Sequence, residues 1–241
     1  MPLSDSTFRF EPIGIVRSPY RDKFAVPRQP GLVPAARGEL HLLGDCNRGE
    51  TLEGLGGFSH LWLTFVFHRV LGQGWKPRVR PPRLGGNRRV GVFASRSPFR
   101  PNPIGLSAVR LDGIEERGGQ WLLHLGGIDL VDGTPILDIK PYLPYADAIA
   151  NARGGFADGS PPAVAVTFSD ASRGALAALA DRHPGLGELI TQVLAQQPQP
   201  AYRGAGERVY GMALYDLDIR WIVHPHGCEV IAIEPGPAAG E

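Results

Sequence analysis

The sequence has little cysteine and no long apolar run. Two cysteines, Cys46 and Cys228, occur among 241 residues without a C-x-x-C pair. This argues against a disulfide-stapled scaffold and a zinc site, and is typical of a reducing compartment. No stretch of about 18 apolar residues exists, and the first ten residues lack the apolar core of a signal peptide. We therefore expect a cytoplasmic protein that contacts no membrane and binds no metal.

Acidic residues are missing from one long segment. No Asp or Glu occurs from Gly54 to Leu111, although the formal net charge of the whole chain is only +1. A solvated surface usually mixes the two signs, so this segregation favours a polyanion-binding surface over a merely solubilising one. The segment carries ten basic residues: Arg69, Lys76, Arg78, Arg80, Arg83, Arg88, Arg89, Arg96, Arg100 and Arg110.

The common nucleotide-binding motifs are missing as well. The chain has no P-loop, and its nearest match to a dinucleotide fingerprint is EGLGGFS, residues 53–59. Ser59 stands there in place of the last glycine, and the segment that follows has the pattern of a strand rather than a helix. A nucleotide-type cofactor would therefore need a site outside the Rossmann fold.

Short strands dominate the first 145 residues. About seven apolar segments, including HLWLTFVFH (60–68) and RVGVFAS (89–95), alternate with Gly and Pro turns. This pattern predicts a mainly β fold, with a small closed or nearly closed β-barrel over residues 1–147, and it disfavours a doubly wound α/β fold. A Gly/Ser/Pro-rich linker is predicted at 148–162. Two helical patterns and several apolar strands then predict a small C-terminal α+β domain at 163–241.

Prolines and arginines occur together in rigid turns. In ASRSPFRPNPIGLS (94–107), three prolines fix the backbone and present Arg96 and Arg100 with little entropy left to lose on binding. RPPRLGGN (80–87) and FAVPRQPGL (24–32) have the same character. Guanidinium groups on such turns suit phosphate oxygens. The alternative is that these segments are ordinary structural turns.

A fourth segment, IDLVDGTPILDIKPYLPY (128–145), carries acids. Asp129, Asp132 and Asp138 lie around the tight turn DGTP, close to Lys140 in sequence. A carboxylate at this turn could bind ribose hydroxyls or accept a proton. Alternatively, these acids are solvent-facing groups at strand ends.

Taken together, these segments resemble the TrmO (YaeB/TsaA-like) family of S-adenosylmethionine-dependent tRNA methyltransferases. The similar segments are IGIVRSPY, KFAVPRQPGL, FSHLWLTFVFH, RPPRLGGN, GVFASRSPFRPNPIGLS and DLVDGTPILDIKPYLPYA. The match runs from about Phe8 to Asp147 and resumes at LAQQPQPAYR. The resemblance implies a small β-barrel, a homodimer, and methylation of N6 of threonylcarbamoyladenosine beside the tRNA anticodon.

The resemblance also implies where the methyl donor binds. By motif match, the contacts with S-adenosylmethionine fall on four parts of the chain. These are Arg28, Gln29 and Pro30; His68 and Arg69; Arg96 and Leu106; and the turn of Asp129, Leu130, Val131, Asp132, Gly133 and Thr134.

The chemistry of the implied reaction suggests further roles. An adenine N6 that bears a carbonyl substituent is a poor nucleophile, so removal of its proton by a general base would help. Asp132 or Asp138 is the candidate base, and Lys140 or Tyr142 the candidate group to orient the carbamoyl oxygen. The residues expected to bind RNA are Arg80, Arg83, Arg88, Arg89, Arg100, Tyr202 and Arg203.

The sequence departs from the family pattern in one stretch. The family's D-P-R-P-A-Y-R stretch is QPQPAYR here, so Gln197 replaces the acid and Gln199 the arginine. This change could alter which tRNAs are accepted.

Two other functions remain open. They are a non-catalytic tRNA-binding module and an S-adenosylmethionine-dependent methyltransferase of another acceptor.

Overall fold

The computed structural model describes residues 7–85, 87–160, 162–196 and 206–236. The predicted Tyr202 and Arg203, and the departures at Gln197 and Gln199, lie outside the described residues.

Six antiparallel strands form a closed barrel. Their order around it is β1-β2-β7-β6-β3-β8, and β8 pairs with both β1 and β3. Side chains on alternate positions of β3 face inward, where Leu61, Leu63 and Phe65 are buried. The strands are β1 (Gly14–Arg17), β2 (Arg37–Leu42), β3 (His60–Val66), β6 (Ile104–Arg117), β7 (Gln120–Gly126) and β8 (Thr134–Pro141), where β4 and β5 denote the small hairpin described next.

The basic segment between β3 and β6 adds only a two-stranded hairpin, β4 (Arg78–Val79) with β5 (Val90–Gly91). The long strand predicted over RVGVFAS is therefore wrong: it ends at Gly91 and a 3-10 turn covers Val92–Ala94. The predicted strand 60–68 is also too long, because β3 ends at Val66 and His68 begins a 3-10 turn. In the first turn only Val92 is buried, and in the second no side chain is.

The C-terminal part forms a second sheet with two helices. After α1 (Pro144–Asp147), the sheet has the order β10-β11-β12-β9, with β9 parallel to β12. Ser169 caps α2 by accepting a hydrogen bond from the Ser172 amide. The elements are β9 (Ala165–Phe168), α2 (Asp170–Ala178), α3 (Leu186–Ala195), β10 (Gly206–Leu214), β11 (Leu217–His224) and β12 (Gly227–Pro235). The predicted fold class, a mainly β chain with a small barrel and a C-terminal α+β part, is confirmed.

The second sheet packs against the loop that follows β1. Tyr20 forms a bridge with Leu214, and the Tyr215 amide donates to the Pro19 carbonyl at 2.7 Å. The Ala35 amide donates to Gln192 Oε1 of α3 at 2.8 Å. One hydrophobic core runs continuously through both parts, so the C-terminal part holds one side of this loop in place.

Gly105 provides a test of the barrel packing. A β-carbon there would lie 2.2 Å from Cζ of the buried Phe65 ring, whereas one at Gly113, on the same strand, would meet its nearest atom at 3.6 Å. We expect Gly105→Ala to lower the free energy of unfolding by about 1–3 kcal/mol through overpacking, and Gly113→Ala to leave it unchanged or raise it slightly. Urea unfolding of both variants measures this, and equal effects would contradict the packing described.

Candidate functional site

Three segments meet at one end of the barrel. They are the turn between β7 and β8 (127–133), the loop after β1 (18–33) and the proline-arginine segment before β6 (94–103). The Gly31 amide donates to the Gly127 carbonyl at 2.8 Å, and the Asp132 amide donates to the Tyr20 carbonyl at 2.8 Å. Arg96 Nη1 donates to Gln29 Oε1. Segments far apart in sequence are thus joined by hydrogen bonds in one place.

The turn between β7 and β8 is fixed by its own side chains. Ile128 and Leu130 are buried, and Asp129 between them lies beside Ser107 and Arg96. Asp132 Oδ1 accepts from the Ser18 amide at 3.0 Å, and Thr134 Oγ1 donates to the Val131 carbonyl at 2.6 Å. The carboxylate of Asp132 therefore has a structural partner, whereas that of Asp129 is available.

Asp129 is an unusual carboxylate. Its Oδ1 atom is buried and has no hydrogen-bond partner in the part of the chain that the structure describes. Burial raises its pKa from the ordinary 3.8 to about 6, although the Ser107 hydroxyl and the charge of Arg96 act in the opposite direction. The effect of desolvation on the pKa therefore exceeds the combined effect of Ser107 and Arg96. Such a carboxyl group either holds a proton near neutral pH or accepts a hydrogen bond from a ligand.

Tyr20 adds a second unsatisfied polar atom close to Asp129. Its side chain is fully buried, its hydroxyl has no hydrogen-bond partner among the described residues, and burial together with the charge of Asp129 raises its pKa. Most buried polar atoms in proteins have a hydrogen-bond partner, so these two atoms at one end of the barrel indicate a missing partner. Tyr20 ends the motif IGIVRSPY and Ser107 ends the segment 94–107, but the sequence alone indicates a role for neither.

Most of the other residues that the motif match assigns to S-adenosylmethionine binding lie around this end of the barrel. Gln29 and Pro30 are half-buried, and Arg28 lines a cavity of about 180 Å³ between the loop and α3. His68 and Arg69 follow β3, where the Phe67 amide donates to the Pro103 carbonyl at 2.8 Å. Burial and the neighbouring Arg69 lower the pKa of His68, which favours a neutral imidazole.

Leu106 lies on the other face of β6. Ser107, paired with the inward-facing Leu63, is buried, while Leu106 is 55% exposed on the outer surface. Alternate residues of a strand point to opposite sides. Within one protomer, Leu106 is therefore directed away from the side of the strand on which Ser107 meets Asp129.

The four candidate catalytic residues do not come together in one protomer. Asp132 precedes β8, whereas Asp138 and Lys140 lie towards its far end, on the order of 20–25 Å along the strand from Asp132 to Lys140. Lys140 Nζ pairs with Asp138 Oδ2 at 2.5 Å on the outer surface. Tyr142 stacks at a tilt on Trp62, with ring centroids 5.6 Å apart. The candidates thus divide into Asp132 near the donor residues and a distant group of Asp138, Lys140 and Tyr142.

The acid-free segment presents unpaired cations. Among its ten basic residues only Arg110 has a carboxylate within 4.0 Å, from Asp112, in the part of the chain that the structure describes. Arg80, Arg88 and Arg89 are exposed. Arg83 donates to the carbonyls of Ala157 and Gly159, and Arg100 donates to the Ser95 carbonyl at 2.8 Å. Arg83 and Arg100 keep their charge, and their hydrogen bonds to backbone carbonyls fix their positions.

No group of three or more His, Cys, Asp or Glu side chains is arranged to hold a metal ion within the described ranges. No described helix has the length and apolar character needed to cross a membrane.

Replacement of Asp129 tests the assignment through stability. The folded state keeps the proton of Asp129 to about pH 6, whereas the unfolded carboxyl loses it near 3.8, so the free energy of unfolding falls as pH rises between these values. We expect Asp129→Asn to remove this fall and to raise the free energy of unfolding at pH 7.5 by about 1–3 kcal/mol. Denaturant unfolding from pH 4 to 8 measures it.

Asp132→Asn is the matched control, because Asp132 already accepts a backbone hydrogen bond, and it should give no such gain. A loss of stability in Asp129→Asn at pH 7.5 would contradict the assignment.

Both parts of the chain match known protein families. Residues 15–148 match the family described as the tRNA-methyltransferase O N-terminal domain, and residues 161–236 match the TrmO C-terminal domain. A tRNA (adenine(37)-N6)-methyltransferase from Escherichia coli (strain K12) is 52% identical over 233 residues, covering 95% of this chain and 99% of that protein. A putative S-adenosylmethionine-dependent methyltransferase RcsF from Pseudomonas aeruginosa is 53% identical over 217 residues, covering 89% and 92%.

A solved structure is also similar over nearly the whole length. The crystal structure of TrmO from P. aeruginosa superposes with a TM-score of 0.81 at 46% identity, covering 96% of this chain and 99% of that one. The likeness thus extends over both the barrel and the C-terminal sheet. On the strength of the sequence matches and this shared fold, the chain belongs to the TrmO family.

Proposed function

We propose that this protein is a tRNA (adenine(37)-N6)-methyltransferase that uses S-adenosylmethionine, with the N6 atom of threonylcarbamoyladenosine as the acceptor. The observation that carries the proposal is the unsatisfied oxygen of Asp129 at the end of the barrel, beside Arg96 of the acid-free segment. A site for the methyl donor would therefore adjoin the segment that offers a surface for a polyanion. Relatives named for this activity cover nearly the full chain.

The residues around Asp129 suit S-adenosylmethionine. The orphaned Asp129 Oδ1 can accept from a ribose hydroxyl or an ammonium group of this ligand, and the Tyr20 hydroxyl can donate to one of its oxygens. Gln29 and Arg96, already bonded to each other, add further donors at the same end of the barrel. When bound, the ligand supplies a methyl group on a cationic sulfur, so the protein chiefly positions the partners and excludes water.

The acceptor must lose one proton as it gains the methyl group. An N–C bond forms at N6, the C–S bond of the donor breaks, and the N6 proton passes to a base. Asp132 and Asp138 remain the proposed bases, and Lys140 and Tyr142 the proposed groups for orienting the carbamoyl oxygen. Because Asp132 lies far along β8 from the other three, only one of the two carboxylates can serve a given acceptor within one protomer.

A homodimer would resolve this division. The outer face of β3, β6 and β8 carries Asp138, Lys140 and Tyr142 next to the exposed Ile104 and Leu106, as the pairing Leu106–Thr64–Asp138 across three strands shows. A second copy packed on this face would cover apolar surface and bring these polar groups to the partner's donor site. We propose that the face is the subunit interface.

The dimer proposal predicts a specific sensitivity. Leu106→Asp places a charge on the outer face and should convert a dimer to a monomer in light scattering at micromolar concentration, because an unpaired charge is costly to bury. Val209→Asp is the matched control, since Val209 is 50% exposed on β10. A wild-type monomer, or equal effects of both changes, would contradict the interface.

The RNA would lie along the acid-free segment. Arg80, Arg88 and Arg89 are exposed for phosphate contacts, and Arg83 and Arg100 contribute charge from fixed positions. Tyr202 and Arg203 are proposed as additional contacts. We place the protein in the cytoplasm, where both of its free cysteines would stay reduced.

Mass spectrometry of tRNA nucleosides tests the activity directly. The protein is incubated with methyl-labelled S-adenosylmethionine and tRNA from cells lacking the modification. One labelled methyl group on the threonylcarbamoyl nucleoside is expected. Binding of tRNA without methylation would favour the non-catalytic module, and methylation of other molecules with tRNA left unchanged would favour another acceptor.

Two arginines should separate donor binding from RNA binding. Arg96→Ala removes a charged donor beside Asp129 and should weaken S-adenosylmethionine binding in calorimetry by about 10- to 100-fold, with a smaller effect on tRNA. Arg89→Ala should leave donor affinity unchanged and reduce the slope of log affinity for tRNA against log salt by about 0.7–0.9. Equal loss of both ligands in Arg96→Ala would contradict the division.

A further inference from the structure

The acid-free segment exposes aromatic side chains as well as cations. Phe93 is 77% exposed and Trp75 is 53% exposed. Large apolar side chains in this setting add unfavourable contact with water, and neither has a role in the donor site or in the phosphate contacts described above. Their location among unpaired arginines raises the question of what covers them.

Phe93 is held outward by its neighbours. Val92 is buried, its amide donates to the Pro77 carbonyl at 3.0 Å, and its carbonyl accepts from Ser95 Oγ at 2.8 Å. These contacts fix the 3-10 turn Val92–Ala94. Since Val92 points inward, the next side chain in the turn is directed to solvent. The ring is thus presented at a fixed position.

Cations lie beside two aromatic rings of this segment. The Arg100 guanidinium lies 5.9 Å from the centre of the Phe93 ring, and Lys76 Nζ lies 4.2 Å from the centre of the ring of Phe99, the residue before Arg100. The Lys76 amide donates to the Phe99 carbonyl at 3.2 Å and the Val92 amide to the Pro77 carbonyl at 3.0 Å, so the backbone at 75–77 lies against the segment that carries Phe93 and Phe99. The aromatic-basic surface is therefore defined by Trp75, Lys76, Phe93, Phe99 and Arg100.

We propose that Phe93, with Trp75 on the neighbouring segment, is a stacking platform for a nucleobase that has left the base stack of the anticodon loop. Single-stranded nucleic acid is bound by aromatic faces placed within a positive groove, because every base offers a π face and every nucleotide a negative charge. Both features are present here, and within the described ranges no carboxylate pairs with Lys76 or Arg100. A second copy of this chain fits less well, because two such cationic surfaces would repel each other.

This inference rests on the proposed function and adds to it the residues that recognise an unpaired base. It predicts a contribution that differs in kind from that of the arginines. Stacking should depend weakly on salt, whereas phosphate contacts release counterions and depend on it strongly.

The test uses the full chain and two RNA probes, an unmodified anticodon stem-loop and a duplex of its stem. Phe93→Ala should weaken stem-loop binding by roughly 5- to 150-fold with the salt slope unchanged, and leave duplex binding as in the wild type. Phe93→Tyr should keep the affinity. Phe10→Ala is the control, because Phe10 is 64% exposed but lies outside the acid-free segment. Stem-loop binding should also quench a tryptophan fluorescence signal that is missing in Trp75→Phe.

The outcomes separate the two proposals. If the wild type methylates tRNA but Phe93→Ala binds the stem-loop as tightly as wild type, the stacking platform is wrong and the proposed function stands. If the wild type neither binds nor methylates tRNA, both fail. A change of oligomeric state in Phe93→Ala with RNA affinity intact would assign the surface to a second copy and overturn the inference.

Discussion

Closure of the barrel through β8 is the constraint on which the candidate site depends. Because β8 pairs with β1 on one side and β3 on the other, the turn before it must lie against the loop after β1. The amides of Gly133 and Asp132 then bond to the carbonyls of Val16 and Tyr20. Ile128 and Leu130 are buried in the core, and Asp129 between them lies beside Ser107 and Arg96. The topology thus places the buried carboxylate against the segment before β6.

The distribution of charge has a different origin from the fold. Exposed ion pairs stabilise a protein by at most about 1 kcal/mol each, so the lack of carboxylate partners for the arginines of residues 69–100 within the described ranges costs little stability. Under the proposed function, the same arginines would give phosphate contacts a strong dependence on salt and speed the encounter with a polyanion. Elsewhere in the chain, bases such as Arg17, Arg48 and Arg117 do have carboxylate partners. The contrast indicates that the acid-free segment is shaped by binding rather than by stability.

Much of the barrel could be predicted from the sequence, because strands with one buried face carry a strict period of two. Leu61, Leu63 and Phe65 show that period, and the helix start at Ser169 is marked by its capping chemistry. The hairpin β4–β5 could not be predicted well, since RVGVFAS has the composition of a strand but only Val92 finds a buried position. The three acids of the DGTP region seemed to form one group in sequence, yet the length of β8 separates Asp138 from the other two. Nor could the sequence show that Arg83 bonds to carbonyls more than seventy residues away.

The C-terminal part contacts the loop after β1, which carries residues of the candidate site for the methyl donor. This loop has the barrel on one side and α3 and the β10–β11 turn on the other, with contacts from Gln192 to Ala35 and from Leu214 to Tyr20. The residues that carry Gln29 are thus fixed between two layers, only one of which belongs to the barrel. Fixing a binding loop in advance lowers the entropy lost on binding.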